Sequence, residues 1–146
     1  MTSQGAAIIV KPGTVSLDDL ARVLAGAPVV LDSSFWSRVY AAAAIVAKAA
    51  QADAPVYGIN TGFGKLASKR IPPDQTALLQ RNLIVSHCCG VGPVTPRPIV
   101  RLMMALKIVS LGRGASGVRR AVIEQLQGMP ENTNIRTQLY SNTRST

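Results

Sequence analysis

Two segments of this 146-residue sequence hold side chains able to do chemistry. The first is Val56-Tyr57-Gly58-Ile59-Asn60-Thr61-Gly62-Phe63-Gly64-Lys65, a glycine-rich stretch with a phenol near its start. The second is Ser86-His87-Cys88-Cys89-Gly90-Val91-Gly92, which contains the only histidine. A phosphate cradle requires G-x-G-x-x-G between a strand and a helix, or G-x-x-x-x-G-K followed by Ser or Thr. Neither is present: Ile59 stands where the leading glycine belongs, and Leu66 stands where the magnesium-binding hydroxyl belongs. The spacing leaves a loop that can take backbone shapes other residues resist, presenting Tyr57. An aromatic there is either a packing anchor or, if the ordinary phenol pKa of about 10 is lowered, a general base.

His87 lies one turn beyond Leu83 and two beyond Leu79, so helical spacing puts it on their face. A single histidine without nearby carboxylates cannot build a zinc site, and no Ser-His-Asp arrangement is evident. It is either a core or helix-end imidazole or a contact to a ligand. Cys88 and Cys89 are adjacent, so they neither staple distant segments nor form a C-x-x-C motif, and a reducing cytosol fits them best.

The elements that must carry these groups are mostly helical. Ile8 to Val10 is a short β-rich stretch closed by Lys11-Pro12-Gly13. Ser16, followed by Asp18 and Asp19, caps a helix that runs to about Ala25 and stops at Gly26. Val29 to Leu31 reads as a second short strand, and Asp32-Ser33 caps a longer helix through the alanine-rich Ala41 to Ala50. Pro55 ends that helix before the glycine loop. Pro72-Pro73-Asp74 opens the next, with Leu78, Leu79, Leu83, Ile84 and Val85 predicted as buried positions and a break at Gly90, Gly92 and Pro93. Thr95-Pro96 starts a helix from about Arg97 to Leu111 that is apolar nearly all round and is expected to be buried in a bundle. Gly112 to Gly117 is a turn and Val118 to Gln127 a last short helix. Gly128 to Thr146 is polar, without helical or strand period, and reads as a disordered tail, so residues 1–127 form the folded domain.

Composition narrows the class. Hydrophobic residues make up 47% and charged residues 16%, which excludes a wholly disordered chain. The net charge of +9 invites a polyanion partner, but the basic residues are dispersed and no aromatics interleave with them, which argues against nucleic acid. The most apolar run, Ile99 to Leu111, is interrupted by Arg101 and Lys107 and is too short to span a bilayer. A cytoplasmic protein without membrane attachment is expected.

Taken together, Tyr57 to Gly64, Leu79 to His87 and Gly90-Val91-Gly92 resemble the aromatic amino acid ammonia-lyases. Arg101-Leu102-Met103, Lys107-Ile108 and Arg113 to Arg119 continue the likeness, which covers roughly residues 8 to 127. Ser86-His87 is similar to the histidine ammonia-lyase branch, whereas the phenylalanine branch tends to carry Phe-Leu there and the tyrosine branch His-Leu. The resemblance implies a mainly α amino-terminal domain with short β segments near its start. It also implies elimination of ammonia from L-histidine to give urocanate, by a homotetramer whose electrophile, methylidene-imidazolone (MIO), is made by cyclising an internal Ala-Ser-Gly. By the same resemblance Tyr57 is the catalytic base on a lid that excludes water, and His87 contacts the substrate side chain.

Ala115-Ser116-Gly117 spells the electrophile's tripeptide, yet it aligns with the family's earlier Arg-Gly-x-Ser-Gly turn and is read as a decoy. The family's cyclising segment should begin shortly after Gln127, where the likeness stops. A truncated or frame-shifted reading frame, inactive alone, is the expectation. A tyrosine or phenylalanine lyase or aminomutase fragment is the alternative among enzymes, and a small basic helical binding module the alternative outside them.

Overall fold

The computed structural model describes residues 6–88 and 93–129, which fall into two compact units: 6–43 with 93–129, and 44–88. The first begins with a β-α-β arrangement. Strand β1 (Ile8–Val10) pairs in parallel with β2 (Val29–Leu31), in the register Ile8 with Val29 and Val10 with Leu31. A parallel pair needs a crossover, and helix α1 (Leu17–Leu24) supplies it. Alternation decides which strand residues go inside: Ile8, Val10, Val29 and Leu31 are buried while Ile9 and Val30 face solvent.

Ser16 caps α1 as predicted. Its hydroxyl accepts the Asp19 amide at 3.1 Å, and its own hydroxyl and amide donate to the Asp19 carboxylate at 2.8 and 3.2 Å. Asp32 likewise accepts the Ser34 amide at 2.9 Å, opening a 3₁₀ turn (Ser33–Phe35) that leads into α2 (Trp36–Gln51). Helices α4 (Arg97–Gly112) and α5 (Arg120–Gly128) complete the unit. Val23 of α1, Val39 of α2, Ala105, Ile108 and Leu111 of α4 and Ile123 of α5 join the four strand residues in one apolar core. Gln127 ties α5 to β2, its side-chain oxygen accepting the Leu31 amide at 2.9 Å. Arg120 lies over the Trp36 ring and donates to Tyr40 and Glu124, each at 2.6 Å.

Helix α4 differs from expectation. It is not buried all round: Ala105, Ile108, Leu111 and Gly112 are buried, but Ile99, Met103 and Leu106 are exposed. Composition cannot say how many sides of a helix find a neighbour, and this one packs against α1, α5 and β2 on one side. Thr95 also contributes no side-chain cap; Pro96 stands at the cap position and Pro98 in the first turn. Helix α5 reaches Gly128, one residue past the predicted end, and residues 130–146 of the predicted tail lie outside the described residues.

The second unit holds the end of α2, a long loop, and helix α3 (Pro73–His87), opened by Pro72-Pro73 as predicted. The buried positions predicted on α3 are not buried. Leu78, Ile84 and Val85 are exposed and Leu79 and Leu83 only partly covered. Helical spacing identifies side chains that could be covered, and among the described residues no second apolar surface closes over these. The predicted break at Gly90 and Gly92 lies outside the described residues.

Two outcomes test this packing. Truncating fully buried Ile108 to alanine should lower the unfolding free energy of the purified chain by about 2–5 kcal/mol in urea titration, whereas Leu17→Ala, at an 84% exposed site, should change it by less than about 0.5 kcal/mol. The Ser16 hydroxyl and amide hold the Asp19 carboxyl below its ordinary value of 3.8. A depressed carboxyl contributes stability above that value and loses it as pH falls through the folded pKa. Asp19→Asn should therefore flatten the acid limb of a stability–pH profile below about 3.8, with no change in that limb contradicting the assignment.

Candidate functional site

The loop after α2 is organised around one side chain. Asn60 is fully buried, and its carboxamide nitrogen lies 3.2, 3.1 and 3.0 Å from the carbonyl oxygens of Ala49, Ala52 and Ala54. Two N–H groups serve three acceptors, so at least one bond is shared. The side-chain oxygen accepts the Val56 amide at 2.7 Å. The Asn60 backbone completes the arrangement: its amide donates to Val56 at 3.2 Å and its carbonyl accepts Ile71 at 2.8 Å. Asn60 thereby joins the last turn of α2, at Ala49, to the stretch just beyond it, at Ala52 and Ala54.

The loop beyond closes on itself. Thr61 bridges Arg70 in antiparallel fashion, and the Gly62 amide donates to the Lys69 carbonyl at 3.0 Å. Arg70 donates to the Ala52 carbonyl at 3.2 Å and pairs with Asp53 at 3.1 Å, at a fully exposed carboxylate where such a pair contributes little.

Tyr57 stands at the tip of this framework. Its side chain is 65% exposed and meets Phe63 edge-on, with ring centroids 6.0 Å apart. Gly58 follows with φ +76° and open space around the position of a Cβ, so the backbone conformation, not crowding, calls for glycine. Of the two readings open to the sequence, an aromatic buried as an anchor is the one that does not fit this exposure.

His87 ends α3. Its Nδ1 lies 2.8 Å from the Leu83 carbonyl and 3.0 Å from the Ser86 hydroxyl, which itself donates to Leu83 at 2.9 Å. A carbonyl only accepts, so the Leu83 contact assigns the proton to Nδ1 and leaves Nε2 of the neutral ring as an acceptor. The imidazole is exposed, not on a buried face with Leu79 and Leu83 as the spacing predicted. It folds back on the helix toward a carbonyl that the Ser86 hydroxyl also serves. Tyr57 and His87 belong to the same unit. Cys89 to Gly92 lie outside the described residues.

The turn at Ala115-Ser116-Gly117 does not fit an MIO group. Ala115 and Ser116 are exposed between α4 and α5, and Gly114 and Gly117 take φ of +71° and +66°. Cyclisation needs an enclosed site that presses an amide nitrogen onto a carbonyl. Gly114 is required for a different reason: a Cβ there would come within 2.6–2.8 Å of Arg38.

Residues 15–135 match the family described as aromatic amino acid lyase. The chain belongs to that family. It is 91% identical over 129 residues to a histidine ammonia-lyase of Bradyrhizobium diazoefficiens, an alignment covering 88% of this chain and 25% of that protein. Among solved structures it is similar to tyrosine aminomutase of Streptomyces globisporus, with 26% identity and a TM-score of 0.78 over 85% of this chain and 24% of the other. It is also similar to an ergothionase of Treponema denticola, with 29% identity and a TM-score of 0.79 over 86% and 25% of the two chains. The lyase-family chain thus spans about a quarter of the length of these relatives. The family match runs to residue 135, beyond the predicted boundary at Gln127. The mainly α fold with a short parallel β pair near its start agrees with the family expectation, and among the described residues no helix is long and apolar enough to cross a membrane.

The role of Asn60 was not read from the sequence. An asparagine in a glycine-rich loop signals local side-chain-to-backbone bonding, but the choice of partners depends on how the chain returns to α2. If Ala115-Ser116-Gly117 remains an ordinary turn, the intact mass of the purified chain equals that of the unmodified sequence. A deficit of two waters mapping to these residues would contradict this.

Proposed function

We propose that this chain is the amino-terminal part of a histidine ammonia-lyase, which converts L-histidine to urocanate and ammonia. The 91% identity to the Bradyrhizobium enzyme carries the reading. The β-proton of an amino acid is weakly acidic and its ammonium a poor leaving group. A base and an electrophile are both needed, and the family's MIO supplies the electrophile. The turn that spells its tripeptide here does not fit, so the electrophile belongs to sequence other than these 146 residues.

This chain's residues then do two things. Tyr57 removes the substrate β-proton at its phenol oxygen; its exposure on a loop tip supports access to a ligand and closure over it. His87 recognises the substrate side chain, its Nε2 accepting a hydrogen bond from an imidazole N–H, which a phenyl ring cannot donate. The working form is a cytoplasmic homotetramer, and the 146-residue chain alone is inert. Similarity to tyrosine aminomutase favours one second reading, an aminomutase or lyase acting on tyrosine or phenylalanine.

The purified chain incubated with L-histidine should give no urocanate absorbance. Grafted in place of its counterpart in the Bradyrhizobium enzyme, it should support turnover of histidine over tyrosine and phenylalanine. In that graft, Tyr57→Phe should lower kcat by about 10²–10⁴-fold. Urocanate from the isolated chain, preference for tyrosine, or undiminished kcat would contradict the corresponding part of the proposal.

A further inference from the structure

We infer that Asn60 is a positioning residue for Tyr57, an inference that rests on the reading of Tyr57 as the base. One carboxamide holds two things that the chain must keep in register. Its nitrogen holds the last turn of α2 at Ala49 and the stretch beyond it at Ala52 and Ala54, and its oxygen holds the amide of Val56, the residue immediately before Tyr57. The Asn60 amide holds the Val56 carbonyl as well, so both polar groups of Val56 are bonded to the same residue. Ile59 donates to that carbonyl too, at 3.1 Å. Only Tyr57, Gly58 and Ile59 lie between the two fixed ends.

A span this short restricts what the phenol can do. The Tyr57 Cα is one residue from a point fixed to the helix, so closure is confined to rotation about Tyr57 and Gly58. Swinging the whole stretch from Ala52 to Ile71 would break the several partly buried bonds that Asn60 makes at once. Asn60 touches no substrate in this arrangement; it acts through Val56 on where the phenol oxygen stands. Misplacing a reacting group by about 1 Å can cost about 10²-fold in rate. Neither aspartate nor alanine can replace it: aspartate presents oxygen to three carbonyls, and alanine removes the side-chain partner of the Ala54 carbonyl and the Val56 amide, leaving Ala49 and Ala52 only their bonds to the Ala52 amide and Arg70.

A double-mutant cycle in the grafted full-length enzyme tests this. Asn60→Ala should lower kcat by about 10–100-fold with a smaller change in KM, and in the Tyr57→Phe background the same substitution should cost less than about 3-fold, since there is no base left to position. Asn60→Ser, which keeps one hydroxyl for one partner, should give an intermediate loss and keeps the cycle readable if the alanine variant does not fold. Equal losses in both backgrounds, or an unchanged kcat, would overturn the positioning role and leave Asn60 a purely structural residue. Failure of the underlying reading looks different, because there Tyr57→Phe alone leaves kcat unchanged.

Discussion

The loop that carries Tyr57 depends on the hydrogen bonds of one buried carboxamide. Burying an amide is costly unless its partners are all present, and here they are supplied by Ala49 of α2, by Ala52 and Ala54 just beyond it, and by Val56. The same cost makes the arrangement selective. A backbone path that moves Val56 away from Asn60 breaks both of its bonds to that residue and leaves the buried carboxamide oxygen without its partner, so alternative paths of the loop are disfavoured. A glycine-rich segment, which could otherwise sample many conformations, is held to one at its base and left free at its tip.

The two units are stabilised by different means. In the first, a β-α-β start and helices α4 and α5 bury a single aliphatic cluster, with Ile108 and Ile123 at its centre. In the second, the fully buried side chains among the described residues are Asn60 and Thr61, and the large aliphatics Ile45, Leu66, Leu78, Ile84 and Val85 are exposed. Directional bonds therefore place the candidate site, while non-directional burial holds the platform from which α2 departs. An apolar core tolerates repacking, whereas the role proposed for the Tyr57 phenol needs a backbone with a defined course.

Much of this was legible in the sequence because it is local. Ser16 with Asp19, the Asp32 turn and Pro72-Pro73 each act within a few residues, and each starts a helix where expected. Burial was less legible. The apolar residues of α3 and α4 have helical spacing, but spacing does not reveal whether another surface meets them, and Leu78, Ile84 and Met103 remain exposed. His87 differs for the same reason: it bonds to Leu83 as the spacing allows, but Leu79 and Leu83 are only partly covered and the imidazole is exposed. Asn60 was visible as a residue and invisible as a hub, since its partners span residues 49 to 71 and depend on the fold of the loop. The family resemblance located Tyr57; the hydrogen bonds explain what holds it there.

The central claim is that the loop is rigid at Asn60 and free at Tyr57. Residue-resolved amide hydrogen exchange measures both directly. The amides of Val56 and Ile71, bonded to Asn60, should exchange as slowly as those in the last turns of α2, while Tyr57 and Gly58 exchange far faster. Val56 exchanging as fast as Tyr57 would show that the carboxamide does not fix the loop, and would contradict the claim at its foundation.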